Sequence, residues 1–187
     1  MKTYDIKATQ TRQVTMRSKK TSKDRLSKGE INCFLEWHIP YRLEFLRRGR
    51  AIASDSRVRD PALVEAALMA GRQLLQFLGL KIKSEDGQRP ILRPDTTYRC
   101  FDDRCYEVKI VNLGGEFQDV ADLESDEERV LAEFMYGAEK ATAHLTEDSG
   151  HKLWDNDGEV FFRGCEIIHQ RVSAACSTAK VRLARSA

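Results

Sequence analysis

Residues 125–151, SDEERVLAEFMYGAEKATAHLTEDSGH, predict the amphipathic helix on which the fold depends. Ser125 and Glu128 have the spacing of a capping box, in which two side chains satisfy the free backbone N–H groups at a helix start. The stretch ends in two histidines, His144 and His151. It therefore predicts a core helix whose end is a candidate catalytic site. Apolar residues recur at the spacing of one buried helix face, at Leu131, Phe134, Met135, Ala138 and Leu145.

Residues 60–79, DPALVEAALMAGRQLLQFLG, predict a second helix with a broader apolar surface. Asp60 is a favoured N-cap residue, Pro61 is favoured at the first helical position, and Gly79 is favoured just past the end. So wide an apolar surface is typical of a central core helix. The apolar positions are Leu63, Val64, Ala67, Leu68, Leu74, Leu75 and Leu78.

Two further helices are predicted on either side of this pair. Residues 31–52, INCFLEWHIPYRLEFLRRGRAI, predict a helix that kinks or restarts at Pro40, because proline lacks the backbone donor, and that ends near Gly49. The last helix is expected to begin near Asp157, which can cap it. Its apolar stripe is formed by Phe161, Cys165, Ile168 and Val172.

One β-hairpin is predicted between the second and third helices. Residues 96–115, TTYRCFDDRCYEVKIVNLGG, contain two β-rich runs around Asp102-Asp103 and end in a pair of glycines. The fold class expected from these elements is mainly α: a helical bundle of four to five helices with one inserted β-hairpin.

The composition divides the 187 residues into three parts. Residues 1–29 predict a flexible basic arm, because they are polar and basic and hold few large apolar side chains. Residues 30–175 predict a single helical domain, and residues 176–187 a frayed tail. Charge divides the chain at a different point, since residues 1–59 hold 15 Lys/Arg and 6 Asp/Glu, whereas residues 60–187 hold 16 and 23. The basic front third would attract phosphates, or it would simply lie near the acidic remainder.

The sequence predicts a cytoplasmic protein that does not enter a membrane. No window approaches 18 consecutive apolar residues, and the first 20 residues lack the apolar run of a secretory signal. The five cysteines are therefore expected to be reduced. The sequence lacks a glycine-rich phosphate loop, a serine nucleophile elbow and an HExxH motif, so no cofactor is predicted.

Lys140, His144 and His151 are the candidate catalytic residues. Lys140 and His144 are four residues apart and would share a helix face. A histidine exchanges protons near neutral pH, and a nearby cation stabilises phosphate charge, so the group would suit phosphodiester cleavage or phosphate binding. The alternative is that His144 only closes the helix, by bonding a free carbonyl or packing at its end.

The block EKATAHLT, residues 139–146, resembles the Asn/Asp-Lys-x-x-Ala-His ending of small helical proteins of the HEPN-like kind. The wider stretch of residues 60–151 resembles a group of uncharacterised bacterial proteins. The resemblance implies a helical bundle, often dimeric, associated in many members with RNA cleavage in defence or toxin–antitoxin systems. Their catalytic pattern is Arg followed after four to six residues by His. Here Lys140 stands where Arg would be, three residues separate it from His144, and Glu139 fills the adjacent polar place.

Arg47, Arg48 and Arg50 are candidate nucleic-acid-binding residues. Together with the basic arm they would hold a nucleic-acid backbone in a salt-dependent way. The alternative is an ordinary solvated charged surface. RNA is the nucleic acid that the HEPN-like resemblance implies.

Four other residues would suit a structural zinc site. Cys100 and Cys105 would face each other across the predicted hairpin, and Cys165 and His169 are four residues apart on a predicted helix. Two such pairs would complete a tetrahedral site. The alternative is a set of reduced thiols, partly buried, with no metal.

Three functions therefore remain open from the sequence. The first is a HEPN-like RNA-binding protein with ribonuclease activity at His144 and Lys140. The second is a non-catalytic protein-interaction module, antitoxin-like or a scaffold, which binds a protein partner or a second copy of itself through its helix faces. The third is a zinc-stabilised structural domain.

Overall fold

The structure, a computed structural model, describes residues 26–54, 60–84, 89–95, 107–143 and 151–185. Within these ranges the chain is mainly helical, with one two-stranded antiparallel hairpin, so the predicted fold class is confirmed. A π-helical turn, Phe34–His38, joins the first two helices into one rod, and two 3₁₀ turns, Ile110–Leu113 and Val120–Asp122, precede the fourth helix. The elements are α1 (Lys28–Cys33), α2 (Ile39–Ser54), α3 (Pro61–Phe77), β1 (Leu80–Lys83), β2 (Ile91–Pro94), α4 (Ser125–Ala143) and α5 (His151–Arg185).

The first rod begins earlier and ends later than the sequence predicts. Ser27 and Glu30 form a reciprocal capping box, which starts α1 within the region assigned to the arm. The rest of that arm, residues 1–25, lies outside the described residues. At its other end, α2 continues past Gly49 to Ser54, so the prediction that Gly49 ends the helix is wrong.

Gly49 is instead a packing residue. An added Cβ at this position would lie 2.4 Å from the Cβ of Ala67 on α3 and 3.6 Å from the ring of Phe161 on α5. No real Cβ contact is that short, so glycine allows α2 and α3 to approach each other closely.

The predicted ends of α3 are confirmed. The carboxylate of Asp60 accepts hydrogen bonds from the N–H groups of Ala62 and Leu63, at 3.0 Å and 3.3 Å. After the helix, Gly79 has a φ of 83°, in the left-handed region where glycine is favoured at a helix end. The first strand follows directly. Its first residue, Leu80, is fully buried and pairs with Pro94 of the second strand.

The described hairpin is not the predicted one and lies earlier in the chain. It pairs Leu80–Lys83 with Ile91–Pro94, and its inner side chains include Leu80 and Leu92. Residues 96–106 of the predicted hairpin lie outside the described residues. The part that follows is a 3₁₀ turn, because Ile110 and Leu113, three residues apart, are both fully buried.

The bundle core is centred on Phe134. Helices α2 and α3 pack side by side, α4 packs on α3 and α5, and α5 packs on α2 and α3. Phe134 on α4 stacks on Phe161 of α5, with ring centroids 6.1 Å apart. An added Cβ at Gly71 on α3 or at Gly164 on α5 would lie 2.5 Å from the Phe134 ring. Two glycines therefore leave the space that one phenylalanine fills.

Helix α5 is longer than predicted at both ends. It begins at His151 rather than near Asp157, although Gly158 interrupts it locally with a φ of 81°. It also continues to Arg185 through the segment that the sequence assigned to a frayed tail, because Cys176 and Ala179 carry the buried stripe onward.

Helix α4 has the predicted buried face and a slightly different start. Leu131, Phe134, Met135 and Ala138 are all buried, as predicted, whereas Leu145 lies outside the described residues. The carboxylate of Glu127 accepts a hydrogen bond from the N–H of Glu124, so this bond forms one residue earlier than the predicted capping box.

Candidate functional site

The predicted catalytic residues border the connection between α4 and α5. Lys140 lies in the last turn of α4, is half-buried, and holds its Nζ 5.4 Å from the centre of the Tyr136 ring. His144 follows directly after Ala143, the last residue of α4, but lies outside the described residues. His151 is the first residue of α5, and its side chain is likewise outside them. The structure thus describes one of the three side chains, and catalysis by the group stays a prediction.

The predicted nucleic-acid-binding arginines are paired with carboxylates. Arg47 donates from Nε and Nη2 to both oxygens of Glu44, each at 2.7 Å, and Arg48 donates from Nε to the same carboxylate at 2.7 Å. Arg50 lies 3.2 Å from the carboxylate of Glu166 on α5. A phosphate would have to compete with these carboxylates for all three guanidinium groups.

The charge of Glu44 is strongly stabilised by this arrangement. The two hydrogen bonds from Arg47, and then the one from Arg48, lower the pKa of the Glu44 carboxyl to about 2. The same contact raises the pKa of Arg47. Glu44 therefore remains a carboxylate, and holds both arginines, at any ordinary pH.

The residues proposed for zinc differ in their exposure. Cys165 is buried in the core, and this burial raises the pKa of its thiol to about 12, whereas His169 is exposed. Cys100 and Cys105 lie outside the described residues. Among the residues that the structure does describe, no group of three or more His, Cys, Asp or Glu side chains is placed to hold a metal ion. Zinc binding stays a prediction.

The most unusual surface of the described chain is on the first rod. Trp37 is 72% exposed and Tyr41 is 63% exposed, four residues apart on one side. Glu44 and Arg48 continue the same side of α2 toward its C-terminal end. These four residues form what is called here the aromatic–arginine face: Trp37, Tyr41, Glu44 and Arg48.

The opposite side of the rod explains why these aromatic residues point outward. Leu35, Ile39 and Leu46 are buried and anchor the rod on the bundle. Because the rod has one buried side, residues on its far side must face solvent whatever their polarity. In the sequence Trp37 stands among apolar residues, and the helical spacing of Leu35, Ile39 and Leu46 is the signal that separates it from the buried side.

Trp37 lies in the π-helical turn that precedes Pro40. The N–H of Ile39 donates to the carbonyl of Phe34, five residues back, where an α-helix would use the fourth. This wider turn accommodates Pro40, whose ring would otherwise clash with the preceding turn. The predicted restart at Pro40 thus takes the form of a π-helical turn, a feature often found at functional sites.

Contacts within the chain hold two residues of the aromatic–arginine face in place. Tyr41 packs edge-on against Phe45, with centroids 4.7 Å apart and an interplanar angle of 88°. Glu44 is held by two arginines. Tyr41 and Glu44 are therefore positioned by contacts within the chain, so less conformational freedom would be lost on binding.

A second feature that sequence reasoning missed is a buried lysine. Lys109 is fully buried, and its Nζ donates to the carbonyl oxygen of Asp95 at 2.8 Å and to its carboxylate at 3.1 Å. Lys81 lies 3.4 Å from the same carboxylate, and Glu107 lies 3.9 Å from Lys109. Because each charge has a partner, this cluster links Asp95, which follows β2, to Lys109, which precedes the 3₁₀ turn.

A shallow depression on α3 is too small for a typical ligand pocket. Met69, Arg72, Gln73 and Gln76 line it, and its volume is about 150 Å³. Ligand pockets usually measure roughly 300–1,000 Å³.

Comparison with known proteins gives no relative on which to base a function. No protein-family model, no curated protein and no solved structure matches this chain. A search of the described helices for a membrane span finds none that is both long and apolar enough. The functional argument therefore depends on the surface and its chemistry.

Proposed function

We propose that the chain is a non-catalytic protein-interaction module and that the aromatic–arginine face is its binding surface. The observation that carries this proposal is the exposure of Trp37 and Tyr41 side by side on one helical rod. The proposal fits the cytoplasmic location that the composition predicts.

The residue types on this face are those that dominate protein interfaces. Trp, Tyr and Arg are the most enriched residues among interface positions with large binding energies. Exposed aromatic residues that adjoin one another are uncommon on a monomer surface unless a partner covers them. Here Trp37 and Tyr41 supply apolar area, and Glu44 and Arg48 supply fixed polar groups.

The pairing of the arginines favours a protein over RNA as the partner of this face. Affinity for nucleic acid comes largely from cations that neutralise phosphates. Arg47 and Arg48 share one carboxylate, and Arg50 adjoins another, so three positive charges meet two negative ones. RNA binding by Arg47, Arg48 and Arg50 is still a prediction, and it is one outcome of the test below.

Site-specific photo-crosslinking in cells tests the proposal. A photoreactive amino acid at position 41 should yield a cross-linked protein product, because Tyr41 lies within the proposed surface. The matched control places the same amino acid at Val181, which is 51% exposed on α5 and far along the chain from this face. Products that are identical at both positions, or a product that nuclease treatment removes, would contradict a protein-binding face.

A second candidate function is RNA cleavage at the α4–α5 connection. We propose it on two grounds: the HEPN-like resemblance of EKATAHLT, and the fact that His144 and His151 border the same connection, next to Lys140. The two candidates involve different residues, so each can fail alone.

An RNA-cleavage assay tests this second candidate. The wild-type chain should cleave RNA, and His144→Ala should lose that activity by at least about 100-fold, as is usual when a general acid or base is removed. The matched control is His169→Ala, which changes an exposed histidine on α5 that is not one of the candidate catalytic residues. Equal cleavage by the wild type and His144→Ala, or no cleavage by either, would exclude the catalytic role.

A further inference from the structure

We propose that the partner of the aromatic–arginine face is the same face of a second copy of this chain, packed antiparallel about a two-fold axis. This inference rests on the proposed function, since it names the partner of the surface already assigned. The reasons are the spacing of the four residues and the chemistry of the pairs that this spacing brings together.

The spacing of the face reads the same in both directions. Trp37, Tyr41, Glu44 and Arg48 are separated by four, three and four residues. When two such helices lie antiparallel, with the axis between positions 42 and 43, every residue of the face meets another residue of the face. Trp37 lies opposite the partner's Arg48, and Tyr41 lies opposite the partner's Glu44. This reciprocity is what a two-fold interface between identical chains requires.

The first pair joins an aromatic ring to a cation. A guanidinium group forms hydrogen bonds in its plane and stacks through its flat face. The Nε of Arg48 already donates to Glu44 at 2.7 Å, which orients the guanidinium group and leaves its flat face able to cover a ring. An exposed tryptophan is the aromatic residue that attracts such a cation most strongly.

The second pair joins a donor to an acceptor. In the Glu44 carboxylate, Oε1 accepts from both Arg47 and Arg48, whereas Oε2 accepts from Arg47. A carboxylate oxygen can accept two hydrogen bonds, so Oε2 can also accept one from the hydroxyl group of the partner's Tyr41.

The face also carries balanced charge, which self-association requires. A surface with charges of one sign would repel its own copy, whereas this face holds one carboxylate, Glu44, and one guanidinium group, Arg48. The two-fold arrangement repeats each contact, so two Trp–Arg pairs and two Tyr–Glu pairs form in one interface.

Sedimentation equilibrium over a wide range of protein concentration measures the association. The wild-type chain should dimerise, and Trp37→Ala or Tyr41→Ala should raise the dimer dissociation constant by at least about 30-fold, the effect of losing a dominant interface residue. Val181→Ala serves as the control and should leave the constant unchanged. Circular dichroism spectra that match the wild type would show that the variants remain folded.

Cross-linking with a short bismaleimide tests the antiparallel register. The exposed thiol of Cys33 lies near the partner's residue 51 in this arrangement, and residue 51 is also exposed. Within one chain the two positions are roughly 27 Å apart along the rod, which is too far for the reagent. The variant Ala51→Cys should therefore give a link between Cys33 of one chain and the new thiol at position 51 of the other, identified by peptide mass spectrometry. A link between the Cys33 thiols of the two chains instead would indicate parallel helices and overturn the register.

The outcomes distinguish this inference from the proposed function. A wild-type chain that stays monomeric at every concentration overturns self-association. If the photoreactive group at position 41 then captures a different protein, the interaction module stands and only its partner was wrong. If that group captures RNA alone, both proposals fail.

Discussion

The region around Phe134 and the aromatic–arginine face use similar side chains in opposite surroundings. Phe134 is fully buried, lies against Phe161, and fills the space that Gly71 and Gly164 leave. Trp37 lies on a helix of comparable pattern, yet most of its surface contacts no other part of the described chain. The first region stabilises the fold, whereas the second leaves large apolar area available for binding.

The largest expected effect is on the free energy of unfolding, which should respond differently to substitutions in the two regions. Phe134→Ala should lower the free energy of unfolding by about 3–5 kcal/mol, because it removes a buried ring and leaves a cavity. Trp37→Ala should change it by no more than about 0.5 kcal/mol when the chain is monomeric, because the ring is exposed. Denaturant unfolding at low protein concentration measures both. Comparable losses for the two variants would mean that Trp37 belongs to the core.

The next effect tests whether a helical glycine is a packing residue. Gly49→Ala should destabilise the chain by roughly 1–3 kcal/mol, because the new methyl group would overlap the Ala67 side chain. Gly29→Ala is the matched control, since an added Cβ there reaches only Ser27 Oγ at 4.0 Å. That change should be neutral or stabilising by up to about 1 kcal/mol, because alanine favours helix.

A double variant shows whether the overlap is the cause. Adding Ala67→Gly to Gly49→Ala should restore part of the lost stability, measured by thermal or denaturant unfolding. Destabilisation that is additive in the double variant would indicate that Gly49 acts through its backbone conformation instead.

The contrast between the two regions also explains what could be predicted from sequence. The start of α3 was predictable, because Asp60, Pro61 and Gly79 act locally on the backbone. The role of Gly49 was not, because glycine signals a helix end in sequence, and only the neighbouring Ala67 shows that it lies at a helix crossing. Likewise, a tryptophan among apolar residues predicts burial until the orientation of the rod is known.

The described hairpin of β1 and β2 was not predicted from the sequence, for a similar reason. Residues 80–95 contain Pro90 and Pro94, which argue against a central strand and favour a connection when only the sequence is known. Pro94 lies at the last position of an edge strand, where a missing donor is tolerated. The pairing of Arg47 and Arg48 with Glu44 did have a sequence signal, because arginines three and four residues after a glutamate share its helix face.

A smaller effect is the difference in alkylation rate between a buried and an exposed thiol. Cys33 is exposed, whereas burial raises the pKa of Cys165 to about 12 and that of Cys176 to about 11. Since the thiolate is the reactive form, iodoacetamide at pH 8 should modify Cys33 at least about 100-fold faster than Cys165. Peptide mass spectrometry of timed samples measures both rates. Rapid modification of Cys165 in the folded chain would contradict its burial.

The burial of Cys165 also determines the direction in which stability changes with pH. The folded-state pKa of Cys165 is raised, so the unfolded chain releases this proton first as the pH rises past about 9. The contribution of Cys165 to stability is therefore complete below pH 9 and is lost as the pH approaches about 12. In Cys165→Ser, the alkaline loss of stability should be less steep than in the wild type.

The smallest expected effect concerns Glu44, the charged centre of the aromatic–arginine face. Its lowered pKa means that its contribution to stability is present above about pH 4.5 and is lost as the pH falls through about 2. Because the group is exposed, Glu44→Gln should leave the unfolding temperature nearly unchanged. The effect should instead appear in an NMR titration, where the Glu44 carboxyl titrates near pH 2 in the wild type and closer to 4.5 in Arg47→Ala. An unchanged titration in Arg47→Ala would show that Arg47 does not hold this carboxylate, and the face would then lack the fixed acceptor that its proposed contact with the partner's Tyr41 needs.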